Sequence, residues 1–384
     1  MKRDDEMIQF DMEGFRKDLE YLVNIDSGTG TAEGVAQVAD HLAEKYRKLG
    51  LAVKRYVFDE KYGPCLEARN HPESEEIDLL LIGHMDTVFP PGTAAARPFR
   101  LEGDKAYGPG AADMKAGDLL AVALAENLLR SRPDLRICLA NNCDEEVGSV
   151  SADPWIRRLG AKSRYCLCFE PGRADGSFIK TRRGVQKLLL KAQGIASHAG
   201  VNPDGGANAI LELAKWICHF EPYCREHPGA RANFDVIRGG VVFNMIPAEA
   251  ECDVDIRFDT LEDLALLMAE FRRLAATPFD ARVRMEIIEE GQTPPMVANA
   301  NSLRLMETMR EEGRRLGIKV NFIATGGGSD ASRVSASGAA TIDCCGPVGT
   351  DTHNEKECVH LDTVMDRLTL LYNVCQGLTG NSAG

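Results

Sequence analysis

The sequence predicts an α/β domain with a mainly parallel sheet, interrupted by an inserted α+β module of ferredoxin-like order. Three observations predict it. Short apolar runs alternate with amphipathic helical stretches through the first part of the chain, the pattern of strands covered by helices. After about Thr181 the texture changes to longer strands, one of them strictly alternating. From Ala298 the first texture returns, and 384 residues are long for a single core.

In chain order, Val35, Val38, Leu42, Tyr46 and Leu49 recur at helical spacing within Ala32–Leu49, and Gly50 stops the helix. Asp78–Ile82, Ile137–Asn141 and Tyr165–Phe169 are apolar runs of strand length, with a Leu- and Ala-rich helix at Gly117–Leu129 between the first two. Val185–Ala192, Phe234–Met245, Glu249–Phe258 and Arg282–Ile288 read as strands, with helices at Asn208–Phe220 and Leu261–Ala275, the order βαββαβ. In Glu249–Phe258 the apolar Ala250, Cys252, Val254, Ile256 and Phe258 face one way, and Glu251, Asp253, Asp255 and Arg257 the other. A helix at Asn301–Leu316, strands near Val320–Ile323 and at Thr341–Cys345, and a helix at Leu361–Gln376 complete the chain. The resulting domains are 1–182 with 294–384, and the insertion 183–293. The tail after Thr379 is expected to fray.

The composition is that of a globular protein, with 44% hydrophobic and 27% charged residues. A net charge of −13 disfavours nucleic acid, which needs a basic surface. No stretch approaches the roughly 20 apolar residues of a membrane span. The twelve cysteines include no CxxC pair, and several lie in apolar runs, so they read as reduced thiols. The acidic N-terminus shows no apolar signal segment, and the expectation is a soluble cytoplasmic protein.

Several predicted strands end in residues that can hold a metal. Asp78–Gly83 runs into His84 and Asp86, and Ile137–Asn142 into Asp144, Glu145 and Glu146. Tyr165–Phe169 ends in Glu170, and His353 follows the Thr341–Cys345 run after a Gly/Pro loop. Asp113 lies in a glycine-flanked segment just before a helix. Loops beyond the carboxyl ends of parallel strands converge on one crevice. Alone, His84 reads more readily as an ordinary strand-end histidine than as half of a metal site, and the acidic triplet as a solvated loop. The repetition of one placement carries the argument.

In this order GHMDTV, ADMKAG, DEEVGS, FEPG and TDTHNEKE resemble the carboxypeptidase G/aminoacylase superfamily of dinuclear zinc peptidases. ASHAG, NMIP and DxR make the insertion similar to that superfamily's dimerisation or lid domain. The resemblance implies two zinc ions bridged by Asp113, one also held by His84 and Glu170, the other by Glu146 and His353. Cobalt or manganese would suit the same mixed ligands. It further implies that Asp86 orients His84 and that Glu145 is the general base and acid for zinc-activated water. Two divalent cations would offset the three ligand carboxylates, which otherwise repel one another.

His198 lies outside the metal loops, and by itself reads as a surface histidine. The resemblance implies that it stabilises the oxyanion in a partner subunit, within a homodimer formed through the insertion. Asn244 and Arg257 resemble residues that hold the substrate carboxylate, although Arg257 can equally pair with Asp255 or Asp259. The glycine-rich Thr325–Asp330 segment lacks the ending of a phosphate loop, and by resemblance Gly327 and Ser329 line the substrate pocket. His41, His71, His219, His227 and His360 have no ligand context.

The expected activity is hydrolysis of the amide of a small carboxylate-bearing peptide or N-acyl amino acid, by a carboxypeptidase or dipeptidase. The runner-up is a deacylase of the acetylornithine deacetylase or desuccinylase kind, and another class altogether is a silent carboxylate-binding scaffold. Glutamate-releasing members carry an arginine at the return hinge. Glu290–Pro295 has none, which puts a C-terminal glutamate in doubt.

Overall fold

The computed structural model describes residues 8–378; the tail after Thr379 lies outside them. The chain forms two compact units. The first runs to Thr181 and resumes with Met296–Thr325 and again from Ser329; the second is Arg182–Pro295 with Gly326–Gly328.

The first unit is built on a six-stranded sheet. Its strands lie in the order Ala52–Tyr56, Cys65–Arg69, Ile137–Asn142, Ile77–His84, Ser163–Cys168, Ala340–Ile342. The last four are parallel, and the first two attach as an antiparallel edge. Every residue of Ile77–His84 is buried, as a central parallel strand covered on both faces requires. The edge pair escaped the sequence reading because Ala52–Tyr56 is partly exposed and mixes charged with apolar residues.

Helices Ala32–Lys48, Ala116–Ser131, Asp153–Lys162 and Val364–Gln376 pack their apolar residues into this core. Ala116–Ser131 is buried on almost all sides. It comes so close to the strand end at Phe169 that a Cβ on Gly117 would sit 2.0 Å from the Phe169 carbonyl oxygen. Glycine is needed there to bring the Asp113 loop beside Glu170.

The second unit has the predicted βαββαβ order, with a four-stranded antiparallel sheet arranged Ala230–Gly239, Glu249–Phe258, Gly184–Gln193, Arg284–Thr293. Along Glu249–Phe258 the alternate residues from Ala250 to Phe258 are buried against helices Ala209–Glu226 and Leu261–Ala276. One strand departs from expectation. Phe234–Met245 does not run through: the strand ends at Gly239, Gly240 turns with φ of +74°, and Met245–Ile246 pairs with Ser197–His198 instead. Among the described residues no helix is long and apolar enough to cross a membrane.

Candidate metal centre

The parallel strands deliver the site. His84 and Asn142 are paired partners at the carboxyl ends of neighbouring strands, and Cys168 pairs with Ile82 two positions before His84. The loops that follow carry Asp86, Glu145, Glu146 and Glu170 to the same edge of the sheet. Asp113 comes from a short turn before Ala116–Ser131, where the Asp113–Met114 peptide is cis. His353 adopts φ of +61°, a left-handed conformation uncommon for a side-chain-bearing residue, in a tight turn of its loop.

These residues meet in pairs. His84 Nε2 lies 3.2 Å from Asp113 Oδ1 and 3.7 Å from Glu170 Oε1. His353 Nε2 lies 3.2 Å from Asp113 Oδ2 and 3.2 Å from Glu146 Oε2. The two oxygens of Asp113 therefore face different imidazoles. His84 Nδ1 is 3.0 Å from the Asp86 carbonyl oxygen, an acceptor that keeps a proton on Nδ1 and turns Nε2 toward Asp113. Asp86 Oδ1 accepts the backbone N–H of Glu145, and Oδ2 accepts that of Glu146.

Charge crowding is the dominant electrostatic feature. Burial pushes the Glu170 carboxyl well above the usual carboxylate range, and the Asp113 charge adds to it. Burial does the same to Glu145, helped by Asp330, Glu146 and Asp86. Glu146 is raised by burial and by Asp113, against a hydrogen bond from His353. Burial also opposes ionisation of Asp113, but hydrogen bonds from His353 and His84 outweigh it and lower its pKa. Hydrogen bonds to Asp113 and Glu146 raise His353 to about 11. Such a cluster calls for positive charge at its centre.

The donor set fits divalent cations. Two triplets, His84 with Asp113 and Glu146, and His84 with Glu145 and Glu170, each offer ligand atoms within 4.8 Å of one another. Glu146 Oε1 is buried without a hydrogen-bond partner, as a ligand oxygen would be. Proximity alone does not separate Glu145 from the ligands; the 3.2 Å approach of His353 to Glu146 distinguishes the neighbours.

The remaining candidates are placed differently. His198, Asn244, Arg257 and Gly327 belong to the second unit. His198 Nδ1 accepts the N–H groups of Gly200 and Val201 at 3.1 Å each, so its Nε2 carries the proton as a free donor. The Asn244 carbonyl accepts the Ala199 N–H, which holds the two loops side by side. Arg257 is clamped by both oxygens of Asp255 and donates to the Gly326 carbonyl. Ser329 is buried: its hydroxyl donates to Asp343 and it caps helix Asp330–Ala336. His41, His71 and His219 pair with Asp18, Glu73 and Glu270.

Two supporting residues escaped the sequence reading. Thr29 donates its hydroxyl to Asp86 Oδ2, and Glu357 Oε1 accepts the N–H groups of Ala112 and Asp113. A glycine-flanked Thr and a Glu four residues past His353 were the available signals. A separate cavity of about 380 Å³, lined by Lys54, Glu67, Arg69, Arg158 and Lys162, shares no residue with the cluster. Its cations are largely paired with glutamates.

Comparison with known proteins identifies the family. The family model described as peptidase family M20/M25/M40 matches residues 80–376. Carboxypeptidase G2 of Pseudomonas sp. is 32% identical over 367 residues, covering 92% of this chain and 86% of that protein. A succinyl-diaminopimelate desuccinylase of Methylobacterium nodulans is 32% identical over 368 residues, covering 86% of this chain and 88% of the relative. In fold, the crystal structure of aminopeptidase PepT from Bacillus cereus superposes with a TM-score of 0.80 at 20% identity, over 95% of this chain and 98% of its own. With paired histidines and carboxylates gathered at the strand ends and a match across most of its length, the chain is a metal-dependent amide hydrolase and belongs to peptidase family M20/M25/M40.

Proposed function

We propose that this enzyme cleaves the amide of a small carboxylate-bearing substrate, a dipeptide or an N-acyl amino acid, and acts first as a carboxypeptidase or dipeptidase. The observation that carries the reading is Asp113, whose two oxygens each lie 3.2 Å from a different imidazole with Glu145 close by. Two divalent cations, zinc in the first instance, would be held by His84 and Glu170 on one side and Glu146 and His353 on the other, with Asp113 between. Bound there, they would polarise the scissile carbonyl and lower the pKa of water to about 7.

The chain's own groups supply the rest. Glu145, raised by burial and by neighbouring carboxylates, takes the proton from the attacking water and returns it to the leaving amine. Asp86 holds Glu145 and Glu146 by their backbone N–H groups, so base and ligand stay in register. His198, with its proton on Nε2, donates to the developing oxyanion. Asn244, Arg257 and the Gly327 segment receive the substrate carboxylate, with Arg257 presenting its remaining N–H groups.

In this reading the chain is a cytoplasmic homodimer joined through the inserted unit, and His198 serves the partner's site. The support is an edge strand, Ala230–Gly239, with exposed Val236 and Ile237, and the strongly exposed Val241 and Phe243 beside Asn244. A desuccinylase-like deacylase is the second reading, favoured by the relative of that name.

A panel of dipeptides and N-acyl amino acids, assayed after chelation and after return of zinc, cobalt or manganese, tests both. Metal-restored cleavage of one set is expected. No cleavage of either set with any of these ions would overturn the proposal.

A further inference from the structure

We propose that Thr29 is a positioning residue for hydrolysis, fixing the Asp86 carboxylate that in turn aims Glu145 and Glu146. The inference rests on the roles assigned above to those two glutamates. The Thr29 hydroxyl donates to Asp86 Oδ2 at 2.7 Å, with a longer approach of 3.4 Å to the Thr87 carbonyl. Asp86 is 1% exposed, so water does not take over a bond that is lost. Its Oδ2 also accepts the Glu146 N–H and its Oδ1 the Glu145 N–H, both at 3.1 Å. One carboxylate therefore ties the N-terminal segment to the loop that carries the base and a ligand. Without Thr29, only the two backbone donors and the imidazole of His84, 3.5 Å from Oδ1, remain to set its rotation.

The segment around Thr29 is held independently of its hydroxyl. Thr29 N–H donates to the Thr87 carbonyl at 2.9 Å, and Thr87 N–H to Ser27 at 3.0 Å. The Asp26 carboxylate accepts the N–H groups of Gly92 and Ala94 at 2.7 and 2.8 Å. Gly28 lies against Phe89 so closely that a Cβ would sit 2.0 Å from the Phe89 carbonyl oxygen. The backbone is thus braced against the 86–94 stretch whether or not residue 29 bears a hydroxyl. Deleting that one oxygen removes the bond to Asp86 and little else.

The test compares Thr29→Val, nearly isosteric without the hydroxyl, Thr29→Ser, which keeps it, and Thr29→Ala as a second deletion. The full-length metal-loaded enzyme is assayed for kcat and KM, melted thermally, and challenged with a competing chelator. Val and Ala should lower kcat about ten- to a hundredfold with KM nearly unchanged, and weaken metal retention about tenfold. Ser should recover both to within about threefold, the share expected of a restored hydrogen bond. Wild-type kcat and wild-type chelator resistance in Val and Ala would overturn the proposal, as would a lower melting temperature with unchanged kcat. The chelator arm reads Glu146 without substrate, so it decides the question even if the substrate panel fails.

Discussion

His353 Nε2 lies 3.2 Å from Asp113 Oδ2, the oxygen that His84 does not face. A carboxylate that faces two imidazoles through separate oxygens would suit the bridging role proposed for Asp113. An amide cannot imitate it, because only one of its two heavy atoms accepts. Asp113→Asn should therefore keep the fold and lose one or both ions from an expected two per chain, measured by atomic absorption after gel filtration. Two ions still bound to that variant would remove the bridge.

Glu145 and Glu146 are adjacent in sequence and differ in what they meet. Glu146 reaches His353 at 3.2 Å, while Glu145 is buried among Asp86, Glu146 and Asp330 with a raised pKa. If the first is a ligand and the second the base, Glu145→Gln separates them cleanly. Its kcat should fall about 10²- to 10⁴-fold, the usual worth of a general base. Its metal content should match the wild type, whereas Glu146→Gln should lose metal.

Buried acid elsewhere gives the fold a pH dependence. Asp118 is fully buried behind Gly83, accepts a hydrogen bond from Asn141, and is pushed up to about 8 by that burial. Between about pH 4 and 8 the folded chain keeps a proton that the unfolded chain has released, so stability falls as pH rises. The contribution is present in full below the unfolded value and is lost through about pH 8. Glu357, raised to about 8 by burial, acts in the same sense. Lys115, lowered to about 8 by burial, acts in the opposite sense above that pH. Melts of the metal-free protein should show a lower Tm at pH 8 than at pH 5. Asp118→Asn should shrink that loss of stability by an amount on the order of a few kcal/mol; an unchanged loss would remove Asp118 as its source.

Much of the site was legible because the strands announce it. His84, Glu146 and Glu170 follow short, continuous apolar runs of strand length, and the sheet brings their ends together. The supporting bonds were not legible, since Thr29 and Asp86 are 57 positions apart and meet only through tertiary packing. Glu357 ends the run Asn354-Glu355-Lys356, which reads as solvated, yet it is buried under the Asp113 turn. Val241-Val242-Phe243 misled in the other direction. Its β-branched and aromatic residues suit a strand, but Gly239 and Gly240 turn the chain and leave Val241 and Phe243 strongly exposed.

The dimeric reading of His198 admits a test by complementation. His198→Ala removes the Nε2–H donor without touching the cluster, and Glu145→Gln removes the base without touching the second unit. Each variant alone should be nearly inactive. If His198 acts on the partner's site, a mixed dimer holds one competent site, made from Glu145 of the first variant and His198 of the second. Random exchange of equal amounts should then restore about a quarter of wild-type activity, half the dimers being mixed with one site of two repaired. If His198 serves its own subunit, no mixed dimer contains a complete site, and mixing restores nothing. Measuring activity against mixing ratio, after exchange at low protein concentration, distinguishes the two: recovery should peak at equal amounts and vanish at either end.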